Sequence, residues 1–233
     1  MRTHKHTLNN TQTTTNQQTR RTTNTYAVGH MALGYLTGKA TAKPFKLNPN
    51  IPALMVLSIL PDIDILIGQN FHRGPTHSII TATLVFIPFF MAYRQKALPY
   101  FFALISHGIA DLVIGGNLQL LWPLTSTHVY MPPPFPQILI DSPLNVAAET
   151  TIFVIMLAVL AKAKDYKTFF KRKLTNLTLI IPIFTVLLPT FLAYPLEVPT
   201  LLIPPHLFFL LLFATAIAIL VFSPPKTRTP TNH

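Results

Sequence analysis

The chain has 233 residues, of which half are hydrophobic and only 11% are charged, whereas ordinary soluble domains carry roughly 25% charged residues. Its formal charge of +11 sits in short blocks between apolar runs rather than along one face, which argues against nucleic acid as a partner. The absence of cysteine excludes disulfides and thiolate metal ligands, so any metal must be held by nitrogen and oxygen.

Residues 1–25 are rich in Thr, Asn and Gln and almost devoid of apolar side chains. They cannot bury enough surface to offset the entropy of ordering, and they read as a disordered polar tail without the apolar stretch of a secretory signal. A misassigned start codon would also account for them. A helix rich in small residues is expected next, from Ala27 to Thr37, where Gly29 and Gly34 would let a neighbouring helix come close to His30.

Six apolar stretches follow. Ile51 to Gly68, Ser78 to Tyr93, Leu98 to Gly116 and Val146 to Ala161 each hold at most two ionisable residues. Leu174 to Leu196 holds no Asp, Glu, Lys, Arg or His, and Leu207 to Phe222 continues an apolar run that begins near Val198. A bilayer core is crossed by about 20 apolar residues in a helix, so the expected fold is all-α, a polytopic bundle of about six transmembrane helices. Residues 26–165 are expected to form a membrane domain around a polar metal site, 174–223 a C-terminal transmembrane hairpin, and 224–233 a short cytoplasmic tail.

Basic residues cluster at Lys39, Lys43 and Lys46, at Arg94 and Lys96, from Lys162 to Lys173, and at Lys226 and Arg228. Placing every cluster in the cytoplasm gives three hairpins with both termini inside, and turns Gln69 to His77 and Asn117 to Asn145 outward. Many of the 22 prolines fall inside apolar segments, among them Pro61, Pro88, Pro182, Pro189 and Pro195. Kinked or broken helices around a polar cavity are expected near Pro61 and Pro88, and simple packing roles for the last three.

Only seven acidic residues exist, and Asp62, Asp64 and Asp111 lie inside apolar segments, where a charge is costly without a partner or a function. His107 and Asp111 are four apart and share a helix face, so both can touch one ion. Alone, such a pair would be read as a buried hydrogen bond. Asp62 and Asp64 are two apart and point in different directions on a helix, so one is expected to be a direct ligand, preferably Asp62, and the other to orient a histidine. In His72-Arg73-Gly74-Pro75-Thr76-His77, Gly-Pro makes a turn, Thr76 is expected to cap the next helix, and His77 to sit in its first turn. Arg73 could hold an anionic group, or else a lipid headgroup. Glu149 opens an apolar segment, while His128 and Asp141 are weaker candidates and His206 and Glu197 have no expected role.

These donors exceed the three protein ligands of a catalytic zinc, which implies two ions or supporting residues. Together they suggest hydrolysis by a metal-activated water, with His30, Asp62, His77, His107, Asp111 and Glu149 on the metal and Asp64, His72 and Arg73 assisting catalysis. The expected cofactor is a divalent cation, foremost Zn2+, as one or two ions.

Gly29-His30, Leu60-Pro61-Asp62-Ile63-Asp64, His72-Arg73-Gly74 with Thr76-His77-Ser78, Ser106-His107 with Asp111, and Leu121-Trp122-Pro123 stand in family order, and over roughly residues 26–150 the chain resembles the YdjM-like family of inner-membrane metal-dependent hydrolases. The order of His30, Asp62, His77, His107, Asp111 and Glu149 is also similar to that of zinc-dependent phospholipase C and the P1-type nucleases, which implies phosphoester hydrolysis. Asn145 stands where those soluble enzymes have a histidine, which argues against a full trinuclear site. The resemblance implies a protein of the inner membrane acting on a small phosphoester or lipid-like substrate. A transporter or proton relay would use the same residue types but spread them along a path, and a purely structural metal site would close its ligand shell.

Overall fold

The computed structural model describes residues 26–67, 72–135, 138–192 and 198–223. The expected tails, Pro195 and Glu197 lie outside them. Among the described residues the chain is helical, with two isolated β-bridges, Ile114 to Ile138 and Leu118 to Val129, in place of any strand.

The first helix, α1, runs Ala27–Ala42, longer than expected because its small residues are a packing surface rather than a breaker signal. Helix α2, Ile51–Leu57, starts at Asn50, whose side chain accepts from the Ala53 N–H. It ends within two turns, and a tight 3-10 turn, Leu60–Leu66, carries Pro61, Asp62 and Asp64. The broken helix expected around Pro61 is therefore present. A second 3-10 turn, Pro75–His77, leads into α3, Ile79–Tyr93, and α4 follows at Leu98–Val113.

A long connection leads to α5, Pro143–Lys162. After it, Leu174–Leu192 forms an irregular helix, α6, in which a π-helical stretch at Ile183–Leu187 follows Pro182. Helix α7, Ile203–Phe222, completes the chain.

The six expected spans become three. Among the described residues, α5, α6 and α7 with the turn before it, Thr200–Phe222, are the helices long and apolar enough to cross a bilayer. Helices α1 and α4 have 16 residues and α3 has 15. At 1.5 Å per residue these reach about 22–24 Å, short of a hydrocarbon core of about 30 Å. The apolar run from Ile51 to Gly68 does not form one helix because it breaks between α2 and the turn holding Asp62.

Helix α1 packs against α4, α5 and α2 at the centre of the molecule. One continuous core joins Val28, Met31 and Tyr35 of α1 to Leu54 of α2, Met156 of α5, and Phe209 and Phe213 of α7. Glycines let α1 sit this close: a Cβ at Gly34 would lie 2.2 Å from the Ser58 Cβ.

The described basic blocks, around Lys39, Lys96 and Lys162 to Lys173, gather at one end. Lys39 pairs with Asp165 at 2.9 Å, Tyr35 donates to the same carboxylate, and the Arg172 Nε donates to the Leu220 carbonyl near the end of α7. Glu149 and Lys162 on α5 are thirteen residues apart, about 20 Å along the axis. The buried acids therefore lie toward the opposite end from the lysines.

Candidate metal centre

Four elements deliver the buried donors. The turn Leu60–Leu66 brings Asp62, the turn Pro75–His77 brings His77, and α4 brings His107 and Asp111 one turn apart on one face. One ligand atom from each of these four lies within 4.8 Å of every other, and all four residues are buried. The Nε2 of His77 sits 3.4 Å from Asp62 Oδ1, 3.3 Å from Asp111 Oδ2 and 3.1 Å from His107 Nε2. The Nε2 of His107 lies 3.2 Å from Asp62 Oδ1. Two imidazole nitrogens and two carboxylate oxygens thus converge on a single point.

The opposite ring atoms are held from behind. His107 Nδ1 lies 2.6 Å from the Ser58 carbonyl, which can only accept, so Nδ1 carries the proton and the Nε2 lone pair faces the cluster. His77 Nδ1 lies 3.3 Å from Asp64 Oδ2, and Thr76 Oγ1 donates to that same oxygen. Asp64 also takes His72 Nδ1 at 3.0 Å. Asp62 is thus inside the convergence point and Asp64 behind it, a split that their two-residue spacing imposes.

Thr76 does not cap α3. That role belongs to Ser78, whose Oγ accepts from the N–H groups of Ile80 and Thr81 and also bonds the Trp122 carbonyl at 2.5 Å, tying Leu121-Trp122-Pro123 to the start of the helix. His77 accordingly lies in the turn before α3 rather than in its first turn, because Ser78 still has extended backbone. Two contributors went unread in the sequence. A backbone carbonyl such as that of Ser58 leaves no mark in side-chain types, and Thr76 reads equally well as a cap.

His30 stacks on His107 with ring centroids 3.9 Å apart, and its Nε2 is 3.4 Å from Asp111 Oδ1. Among the described residues neither buried ring nitrogen makes a hydrogen bond, although Nε2 is in ion-pair range of Asp111, and such a group costs free energy unless an ion or another group meets it. Glu149 lies outside the group of four. Its Oε2 accepts the Gly29 N–H at 3.3 Å at the start of α1 and its Oε1 the Asn145 side chain at 3.5 Å. Arg73 is buried with φ of 63°, donates to the Gly116 carbonyl at 2.6 Å, and stands 3.7 Å from Asp111 Oδ1. It faces the cluster rather than a lipid surface. His128 and Asp141 are exposed in the long connection, and His206 bonds a carbonyl of its own helical turn.

The buried carboxylates draw positive charge into the site. Asp62, Asp64 and Asp111 are buried beside Arg73 and the histidines, and buried carboxylates are expensive without counter-charge. Burial raises the Asp64 pKa, yet the bonds from His72, His77 and Thr76 outweigh it and hold the carboxyl well below the usual range. Burial likewise disfavours charge on His77, but the Asp111, Asp62 and Asp64 carboxylates lift its pKa well above the ordinary value. The site attracts positive charge, and the ring nitrogens and carboxylates with the orphaned His30 fit a divalent ion of the borderline kind that takes mixed N and O ligands.

No curated protein and no solved structure gives a significant match. A sequence profile described as YdjM inner membrane protein matches residues 26–193, a span that contains every donor described above. The chain belongs to the YdjM inner membrane protein family.

Proposed function

We propose that this protein is a membrane-bound, metal-dependent hydrolase of a phosphoester or lipid-like substrate. The reading is carried by one observation, the meeting of Asp62, His77, His107 and Asp111 ligand atoms within 4.8 Å at a buried point. Asp64, His72 and His77 form a second close group, but it shares His77. A neutral imidazole has a single free lone pair, so the two groups serve one ion rather than two. The favoured ion is Zn2+, held by the four residues with His30 beside them.

When bound, such an ion brings the pKa of its water near neutrality and takes up charge that develops on a substrate oxygen. The chain supplies the rest. Ser58 and Asp64 fix the His107 and His77 rings with their Nε2 atoms forward. His72, whose Nδ1 bonds Asp64 at 3.0 Å, steadies the carboxylate that orients His77 and is assigned to assist the reaction from there. Arg73 offsets the charge of Asp111 and holds it in place.

The compactness of the group favours this over a proton relay. Buried polar side chains in α6 and α7 are Asn176 and His206, and each bonds backbone carbonyls nearby rather than extending a path from the cluster. With the lysines at the cytoplasmic end, the metal centre lies toward the outer side of the inner membrane.

The deciding experiment is metal analysis of the detergent-purified protein beside His107→Ala and Asp111→Ala, followed by a phosphodiester screen of the metal-loaded form. Near-stoichiometric metal that both variants lose, with hydrolysis that vanishes alongside it, is expected. Unchanged metal in both variants would remove the site, and a loaded protein inert toward every phosphoester and lipid offered would remove the reaction.

A further inference from the structure

Two cavities meet at the basic end of the molecule, and the larger runs from there to Leu60 of the turn that carries Asp62. One, of about 780 Å³, is walled by Leu57, Phe86, Phe89 and Leu104 and edged by Tyr93 and Lys96. Its walls are mostly apolar, and from Pro99 to Leu104 it follows the start of α4 for about 8 Å. The other, of about 570 Å³, is bordered by Lys39, Lys43 and Lys46. Leu47 and Asn48 line both, so the basic space opens onto the apolar one.

The lysines are not equivalent. Lys39 is held by Asp165 at 2.9 Å, whereas Lys43, Lys46 and Lys96 are exposed and, among the described residues, have no carboxylate in ion-pair range. The apolar cavity is flanked by exposed Val85, Phe89 and Tyr93 on α3, a helix that bares apolar side chains along most of its length. Such a surface belongs in lipid, and an opening on it admits an alkyl chain from the bilayer without passage through water.

We propose that these joined cavities bind one anionic phospholipid, its phosphate on Lys43, Lys46 and Lys96 and one acyl chain in the space between α3 and α4. Charge complementarity selects the head, since uncompensated lysines at the cytoplasmic boundary attract anionic lipids by about fivefold each. The apolar depth selects a molecule with a chain over a soluble phosphate. None of the metal-centre donors lines either cavity, and the site does not depend on hydrolysis.

The test uses the full chain in phosphatidylcholine nanodiscs doped with phosphatidylglycerol, with retained lipid counted by native mass spectrometry. One phosphatidylglycerol per protein is expected, and Lys43→Gln/Lys46→Gln/Lys96→Gln should weaken it about 100-fold, the product of three fivefold losses. Val85→Trp, at an exposed position on the cavity edge, should also displace the lipid while leaving the lysines intact. Asp62→Ala should lose metal and keep the lipid, which separates this proposal from the hydrolase reading. Equal retention of phosphatidylcholine, unchanged binding in the lysine variant, full binding in Val85→Trp, or release by glycerol phosphate at the same concentration would each overturn it.

Discussion

Gly34→Ala tests the support of the metal centre without touching a ligand. An added Cβ would lie 2.2 Å from Ser58 Cβ and 2.6 Å from its Oγ, and real Cβ contacts essentially never fall below 3.0 Å. Helix α1 and the end of α2 must therefore part by roughly 1 Å, since Ser58 Cβ is fixed to backbone and cannot swing away. Overpacking of this kind costs about 1–3 kcal/mol of stability. Ser58 also supplies the carbonyl 2.6 Å from His107 Nδ1, and a 1 Å displacement takes that contact past hydrogen-bond range. Loss of an orienting partner typically lowers metal affinity by about 10–100-fold. Gly38→Ala, one turn along α1, is the control. Its Cβ would meet the Leu54 methyl ends at 2.6 and 2.7 Å, which a rotamer change can relieve. Isothermal titration with Zn2+ and thermal unfolding in detergent should show both variants destabilised but only Gly34→Ala weakened toward metal. Wild-type affinity in Gly34→Ala, or equal loss in Gly38→Ala, would refute the claim that Ser58 orients His107.

Asp64→Ala should keep the ligand count yet bind metal about 10–100-fold more weakly, because His77 loses the acceptor that fixes its ring, and Zn2+ titration reads this directly. Glu149→Ala should leave metal content unchanged while lowering stability by about 1–3 kcal/mol, since the buried Gly29 N–H loses its acceptor; a loss of metal would instead place Glu149 among the ligands. Gly115→Ala should destabilise by a similar amount, about 1–3 kcal/mol, as φ is +81° and the new Cβ would lie 2.6 Å from Arg73 Nη1; calorimetry or a thermal melt checks it. The chain has no native cysteine, so Lys43→Cys and Leu124→Cys report orientation cleanly: an impermeant thiol reagent applied to intact cells should label Leu124→Cys and spare Lys43→Cys.

What the sequence disclosed follows from the range over which its periodicities act. The i and i+4 spacing of His107 and Asp111 holds because α4 is regular from Leu98 to Val113, and the glycines of α1 mark a close approach because little but a neighbouring chain uses a missing Cβ. The span count failed for the complementary reason. Hydrophobic runs measure burial or lipid contact but not helix continuity, and Ile51 to Gly68 remains apolar through a break that turns Asp62 inward. The same break is what a polar site in an apolar protein requires. A continuous helix through residues 51 to 66 would place Asp62 and Asp64 about 200° apart around its axis, whereas the tight turn lets one reach His77 Nε2 and the other His77 Nδ1. The irregularity that shortens the span thus puts two carboxylates on opposite nitrogens of one ring, one as a ligand and one as its orienting partner.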